Sequence, residues 1–250
     1  MSAVLQTRGL CKSFGALTVA ANIDFTLARG ARHALIGPNG AGKTTFVNML
    51  TGSLPPSAGQ ILLGGEDVTR LSQAGRVKRG LGRTFQINTL FGGMSVLDNI
   101  ALGIAERVGV GSRMWRPANA HEAVRTEALE LLAMLGLDDD AARRVADLPY
   151  GKQRLVEIAI ALGLQPKVLL LDEPAAGVPS LESQRILDAL GHLPRDIAIL
   201  IIEHDMDLVL RFAQRITVLV QGEVLCEGAP DEIVSDRRVQ QAFLGERRGA

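Results

Sequence analysis

The sequence predicts an α/β fold with a parallel-sheet core, and three observations carry that expectation. Apolar runs at 168–171, 197–202 and 216–220 show no alternation, which suits strands covered on both faces by helices. The short run Ala34-Leu35-Ile36 stops at a glycine-rich loop, and a helical pattern begins at 46–50. A strand, a loop and a helix in that order make one βα unit. Residues 95–163 have a different, helical texture.

Taken in order, residues 1–65 read as short strands with tight turns at 4–10, 23–27 and 60–63, the last ended by the turn dipeptide Gly64-Gly65. In the helical stretch Val96, Leu97, Ile100 and Ala101 recur at helical spacing, and Ala123, Leu129, Leu132 and Leu135 repeat it over 122–135. The Gly/Pro-containing loop at 109–119 interrupts them and holds Trp115, the only tryptophan, expected as a packing anchor. Strands return after Pro166. No internal repeat or low-complexity tract is visible.

Composition excludes several functions. Of 250 residues 47% are apolar and 22% charged, ordinary globular values that rule out disorder and fibrous repeats. The 27 Lys and Arg balance 27 Asp and Glu, so no global field draws the chain onto nucleic acid. Aromatics at 4% leave little for base stacking. Cys11 and Cys226 lie far apart with no CxxC, against a disulfide scaffold or zinc site. No run approaches the roughly 20 apolar residues of a membrane span, and the first residues lack a basic start with an apolar core. The expectation is a cytoplasmic protein which, if it works at a membrane, is held there by something else.

Chemistry concentrates in one loop. Gly37-Pro38-Asn39-Gly40-Ala41-Gly42-Lys43-Thr44 fits GxxxxGK[ST], and Thr45 follows. Glycines let backbone N–H groups converge on phosphate oxygens, and the next helix adds its positive dipole end. Lys43 would bridge the β- and γ-phosphates and the Thr44 hydroxyl would ligate Mg²⁺. The 168–171 run ends in Asp172-Glu173-Pro174. Ligand sites form beyond the carboxyl ends of parallel strands, so Asp172 can hold Mg²⁺ and Glu173 can polarise the attacking water. The 197–202 run ends in Glu203-His204-Asp205, where His204 could touch the γ-phosphate. His33, His121 and His192 lack motif context and read as surface or structural groups. Gln86, in Thr84-Phe85-Gln86, could sense the metal or water.

This ordered set resembles the nucleotide-binding subunit of ABC transporters over nearly the whole chain. The resemblance implies a P-loop NTPase of ABC type, with an N-terminal antiparallel β subdomain and a helical subdomain beside the parallel-sheet core. It implies ATP and Mg²⁺ as cofactors and ATP hydrolysis as the activity. By the family's pattern Phe14 stacks on adenine, Gln86 is the Q-loop residue, Asp172 and Glu173 the Walker B pair, and His204 the switch histidine. Two subunits, identical or paralogous, would sandwich ATP head to tail, each signature loop completing the other's site. Permease subunits in the membrane and, indirectly, a periplasmic substrate-binding protein are the further partners; nucleic acid is not one. The expected location is the inner face of the cell membrane. One domain is expected over 1–250, with a nucleotide-binding core at 1–88 and 164–230, a helical part at 89–163 and a tail at 231–250.

The signature departs from the family's LSGGQ, with Leu148-Pro149-Tyr150-Gly151-Lys152 in its place. Pro149 replaces a serine that reaches the γ-phosphate and Tyr150 replaces a glycine. Proline suits a helix start, Leu155, Ile158, Ala159 and Leu162 share one face of the helix beyond, and Gly151 is expected to keep a free N–H for phosphate. Ala176-Gly177-Val178-Pro179-Ser180 lacks the family's D-loop aspartate. The signature tyrosine, Arg83-Thr84-Phe85-Gln86, Asp172–Gly177, Ile202–Met206 and the tail 239–245 resemble the branched-chain amino acid importer ATPases. Urea or amide uptake and lipopolysaccharide export are the alternatives, the last weakened because that ATPase usually keeps the aspartate. An ABC-type ATPase of DNA repair or translation would carry coiled coils or two nucleotide domains in one chain. A non-hydrolysing regulator would not need Glu173 and His204. The membrane partner is expected to dock between the Gln86 loop and the helical part, near Thr89, Leu90, Phe91 and Met94.

Overall fold

The computed structural model describes residues 2–84, 90–110 and 121–244, with Ser180, Leu181 and Leu244 described by backbone alone. Two antiparallel strands open the chain, β1 (Ala3–Phe14) and β2 (Leu17–Ala28). Both outrun the apolar stretches that announce them, because their ladder continues from Ala3 opposite Ala28 to Phe14 opposite Leu17. Next come β3 (Arg32–Ile36), α1 (Lys43–Thr51), β4 (Ala58–Leu63), β5 (Glu66–Asp67), α2 (Gln73–Val77) and β6 (Leu81–Arg83). The helical stretch holds α3 (Val96–Arg107), α4 (Glu122–Met134) and α5 (Tyr150–Gly163). It is followed by β7 (Val168–Asp172), α6 (Ser180–Gly191), β8 (Ala198–Ile202), α7 (Met206–Phe212) and β9 (Arg215–Val220). The hairpin strand β10 (Glu223–Gly228) and two short helices, α8 (Pro230–Ser235) and α9 (Arg237–Leu244), end the described chain.

Two sheets form, in the orders β2-β1-β4-β5 and β10-β9-β3-β8-β7-β6. The first is antiparallel. In the second, β9, β3, β8, β7 and β6 run parallel and only β10 is reversed. The three unalternating runs are thus strands of the parallel sheet, as expected, though β8 begins at Ala198 rather than at residue 197. Every residue of β3, β7 and β8 is buried. Side chains alternate between faces, so one sheet serves two cores. Ala34, Leu169, Leu171, Ile199 and Ile201 pack with α3 to α7. Leu35, Val168, Leu170, Leu200 and Ile202 pack with α1 and the antiparallel sheet. Each such Leu or Ile contributes about 1.5–3 kcal/mol.

Helix α4 corrects one expectation. Ala123 and Leu129 face solvent, and the buried stripe is Val124, Ala128, Leu131 and Leu132. Leu132 and Leu135 of the expected face are buried, so the correction falls on its first half, where packing against α3 and α5 takes Val124 and Ala128 inside in place of Ala123 and Leu129. The face expected for the helix after residue 149 does form the core side of α5, with Leu155, Ile158, Ala159 and Leu162 buried. Strands β6 and β10 escaped the sequence reading. β6 has three residues with a central glycine, and both are edge strands recruited by a neighbour. Trp115 and most of its loop lie outside the described residues.

Candidate nucleotide site

β3, β8 and β7 are parallel neighbours, so their carboxyl ends lie side by side: Gly37, Glu203 and Asp172-Glu173 follow or end them. The loop between β3 and α1 is built on close backbone approach. A Cβ on Gly37 would come within 2.1 Å of the Leu219 carbonyl oxygen, and one on Gly42 within 2.8 Å of Val19 O, both at positive φ. Ala41 is buried; its carbonyl accepts from Gly222 N at 2.9 Å, and Gly222 O accepts from Ala21 N at 2.9 Å. The β9–β10 turn and β2 therefore brace the loop from behind while Asn39 and Gly40 stand exposed at its crest.

Lys43 Nζ donates to Gly37 O at 2.5 Å and Pro38 O at 3.0 Å, so the ammonium is folded over the loop. Thr44 is exposed and Thr45 half-buried on the first turn of α1, which carries no acidic residue to oppose an anion. The helix is fixed at both ends. Phe46 meets Phe25 edge-on at 5.6 Å. Beyond the last turn, the buried Arg76 guanidinium donates to Met49 O at 2.5 Å and Leu50 O at 2.6 Å, a cation on the negative end of the helix.

Asp172 closes β7, 5% exposed, and its Oδ2 accepts from Arg83 Nη2 at 2.9 Å. Glu173 follows with φ +48, a left-handed backbone that a non-glycine residue adopts at a cost of order 1–3 kcal/mol. Its N–H donates to Ile202 O at 2.9 Å, and its Oε1 lies 3.5 Å from His204 Nδ1. Two residues separated by a crossover thus meet at adjoining strand ends. Glu203 is buried behind them and accepts from Ala175 N at 3.4 Å and His204 N at 3.3 Å. Burial pushes its carboxyl above the usual carboxylate range, against the pull of those two N–H groups. Asp205 caps α7 by accepting from Asp207 N and Leu208 N.

The outlying residues divide. Phe14 ends β1 half-exposed, with Lys12 Nζ 5.0 Å from its ring centre. Pro149 occupies the cap position before α5. The Tyr150 hydroxyl accepts from Arg154 Nη2 at 2.6 Å. Lys152 Nζ is paired with the buried Asp140 at 2.5 Å. Gly151 corrects the sequence reading: its N–H is not free but donates to Glu182 Oε2 at 3.1 Å, across from the first turn of α6. A carboxylate of the same chain therefore takes the polar end of α5. Gln86 and Thr89 lie outside the described residues. Leu90 packs on the core, Met94 is half-buried and Phe91 is 59% exposed.

Arg83, Glu182, Glu203 and Gly222 were not picked out as functional from sequence. Arg83 and Glu203 stood inside quoted motifs, but nothing local says that a charged residue will be buried. Among the described residues, no group of three or more His, Cys, Asp or Glu is placed to hold a metal.

A phosphate loop at the edge of a parallel sheet, faced by an aspartate–glutamate pair and a histidine on adjoining strands, defines a P-loop nucleotide-hydrolase site. The chain belongs to the ABC transporter family, whose model matches residues 20–176. Residues 223–248 match the model of the branched-chain amino acid ATP-binding cassette transporter. The chain is 37% identical to LivG of Escherichia coli K12, the high-affinity branched-chain amino acid transport ATP-binding protein, over 97% of this chain and 98% of that one. It is 34% identical to BraF of Pseudomonas aeruginosa, of the same description, over 97% and 98%. Among solved structures it is similar to the ADP conformation of MJ1267, an ATP-binding cassette of an ABC transporter. There the TM-score is 0.87 and the identity 29%, over 98% of this chain and 100% of that one. The dimeric cassette MJ0796 superposes with a TM-score of 0.75 at 25% identity, over 90% and 98%.

Proposed function

We propose that the chain is the ATP-hydrolysing subunit of a membrane importer for branched-chain or chemically related amino acids. The observation that carries the chemistry is the Glu173–His204 approach of 3.5 Å beside the phosphate loop. End-to-end similarity to LivG and BraF supports the importer and its cargo class.

Phe14 stacks on the adenine, while the N–H groups of residues 37–45 and the Lys43 ammonium hold the phosphates. Glu173 accepts a proton from the attacking water as the water oxygen bonds to the γ-phosphorus and the bond from that phosphorus to the β–γ bridging oxygen breaks, releasing ADP and phosphate. His204, 3.5 Å from Glu173, keeps that carboxylate and the water aligned and contacts the γ-phosphate when nucleotide is bound. The donor set beside the phosphates is all oxygen. With the Thr44 hydroxyl and the Asp172 carboxylate, whose Oδ1 accepts no hydrogen bond from the described residues, it suits a hard cation such as Mg²⁺. Gln86 would be a third ligand, and the cation supplies neutralisation of phosphate charge.

A second copy or a paralogue brings Tyr150, Gly151 and Lys152 over the nucleotide, a reading supported by the dimeric cassette. No described helix is long and apolar enough to cross a membrane. On this reading the chain sits on the inner membrane face through permease subunits, which grip the segment from Gln86 to Met94, and serves a periplasmic binding protein through them; its likeness to transport ATP-binding proteins supports this. The deciding experiment is purification of the complex that this chain forms in its own cell, followed by a ligand screen on the binding protein. Leucine, isoleucine or valine as ligand supports the cargo; urea or an unrelated solute overturns it.

A further inference from the structure

Arg83 belongs to no step above, yet its side chain reaches both the Walker B strand and the helix of the phosphate loop. It ends β6, and its side chain is 12% exposed. Nη2 donates to Asp172 Oδ2 at 2.9 Å and Nη1 to Asn48 Oδ1 at 2.9 Å, with Thr51 Oγ1 at the margin, 3.5 Å away. Asn48 and Thr51 lie on α1, the helix that carries Lys43 and Thr44. One planar group thus ties the strand bearing the Walker B carboxylate to the helix bearing the phosphate loop. The Asp172 side chain is 4% exposed and takes no other side-chain bond among the described residues.

A buried ion pair adds little net stability, since desolvation offsets the attraction. What the fork does supply is direction, because its N–H groups are fixed in one plane. With Oδ2 held by Arg83, Oδ1 is the oxygen left to offer. We propose that Arg83 is a positioning residue: it orients Asp172 for the divalent cation that accompanies ATP and keeps that carboxylate in register with the phosphate loop. This rests on the assignment of Asp172 to the metal.

The test uses the full chain and a non-hydrolysable ATP analogue, comparing nucleotide affinity in Mg²⁺ with affinity in chelator. The ratio of the two isolates the cation's contribution. Arg83→Met is expected to cut that ratio roughly tenfold or more, the scale on which groups that orient metal ligands act. Its chelator affinity should stay within about twofold, and Arg83→Lys should recover part of the loss by restoring a charge without the fork. An unchanged ratio overturns the proposal, as does an equal loss in chelator, which would mark a merely structural arginine. Should Arg83→Met fail to fold, Asn48→Leu frees one arm of the fork; a smaller loss of the same sign supports the proposal and none overturns it. Asp172→Asn separates the two layers. If it lowers the ratio while Arg83→Met does not, only the positioning role falls. If it has no effect, the metal assignment falls and takes the proposal with it.

Discussion

Glu173 is the residue to which the proposed function gives the proton of the attacking water. It sits in a left-handed backbone at a strand end, 3.5 Å from His204. Glutamine keeps its shape but cannot take a proton, so Glu173→Gln should slow ATP turnover by about 10²–10⁴-fold, with nucleotide affinity kept; a phosphate-release assay beside equilibrium binding checks both. His33 governs a different property. It is buried, its Nε2 meets Thr217 Oγ1 at 2.8 Å and its ring packs edge-on against Phe25. Burial, with Arg215 adding to it and Glu227 opposing, lowers its pKa to about 4 from 6.5. The folded protein therefore binds this proton less readily than the unfolded chain. The resulting stability is complete above pH 6.5 and drains away as pH falls toward 4, by roughly 3 kcal/mol. Denaturant midpoints measured across that window should fall steeply in the wild type and less in His33→Gln. Equal slopes would remove His33 as the cause.

At the scale of elements, α1 and α5 are held by charges the sequence did not advertise. Arg76 donates to the Met49 and Leu50 carbonyls at the end of α1 and to the Thr69 and Leu71 carbonyls of the loop between β5 and α2. Arg76→Met leaves those acceptors buried and should cost about 3 kcal/mol, read from urea unfolding, because bonds from charged donors are worth about 1.5–3 kcal/mol each before relaxation. At α5 the Glu182 carboxylate occupies the Gly151 N–H, where a partner's phosphate is expected. Glu182→Gln retains an acceptor without the charge. Stability should change by less than about 1 kcal/mol, while the ATP-dependent dimer of a Glu173→Gln background should tighten. Light scattering in ATP and ADP decides, and a weaker dimer would show that Glu182 supports the sandwich instead of competing with it.

For the whole molecule, Phe91 carries the docking prediction, as a large apolar residue that stands 59% exposed in the segment expected to receive the membrane partner. Phe91→Asp should abolish solute uptake by the reconstituted complex while leaving basal ATPase of the isolated chain unchanged, since the side chain buries little within this chain. Uptake at the wild-type rate would move the docking surface elsewhere.

The sequence by itself determined the fold class, the phosphate loop, the acidic pair and the histidine, because each is written locally. Apolar runs report strands buried on both faces, and GxxxxGK[ST] reports a backbone shape. It also carried the family resemblance, since motif order is a property of the chain. Only the tertiary structure decided which residues those motifs meet. Strand order places Glu173 against His204; packing picks the phase of α4 and leaves Leu129 in solvent. The same packing buries Arg76 and Glu203, shields most of Arg83 and spends the Gly151 N–H on Glu182. The physical reason is that a charged residue's partner, and the burial that makes the partnership matter, are set by chain segments far away in sequence. Arg83 finds Asp172 eighty-nine residues on, a distance no periodicity spans.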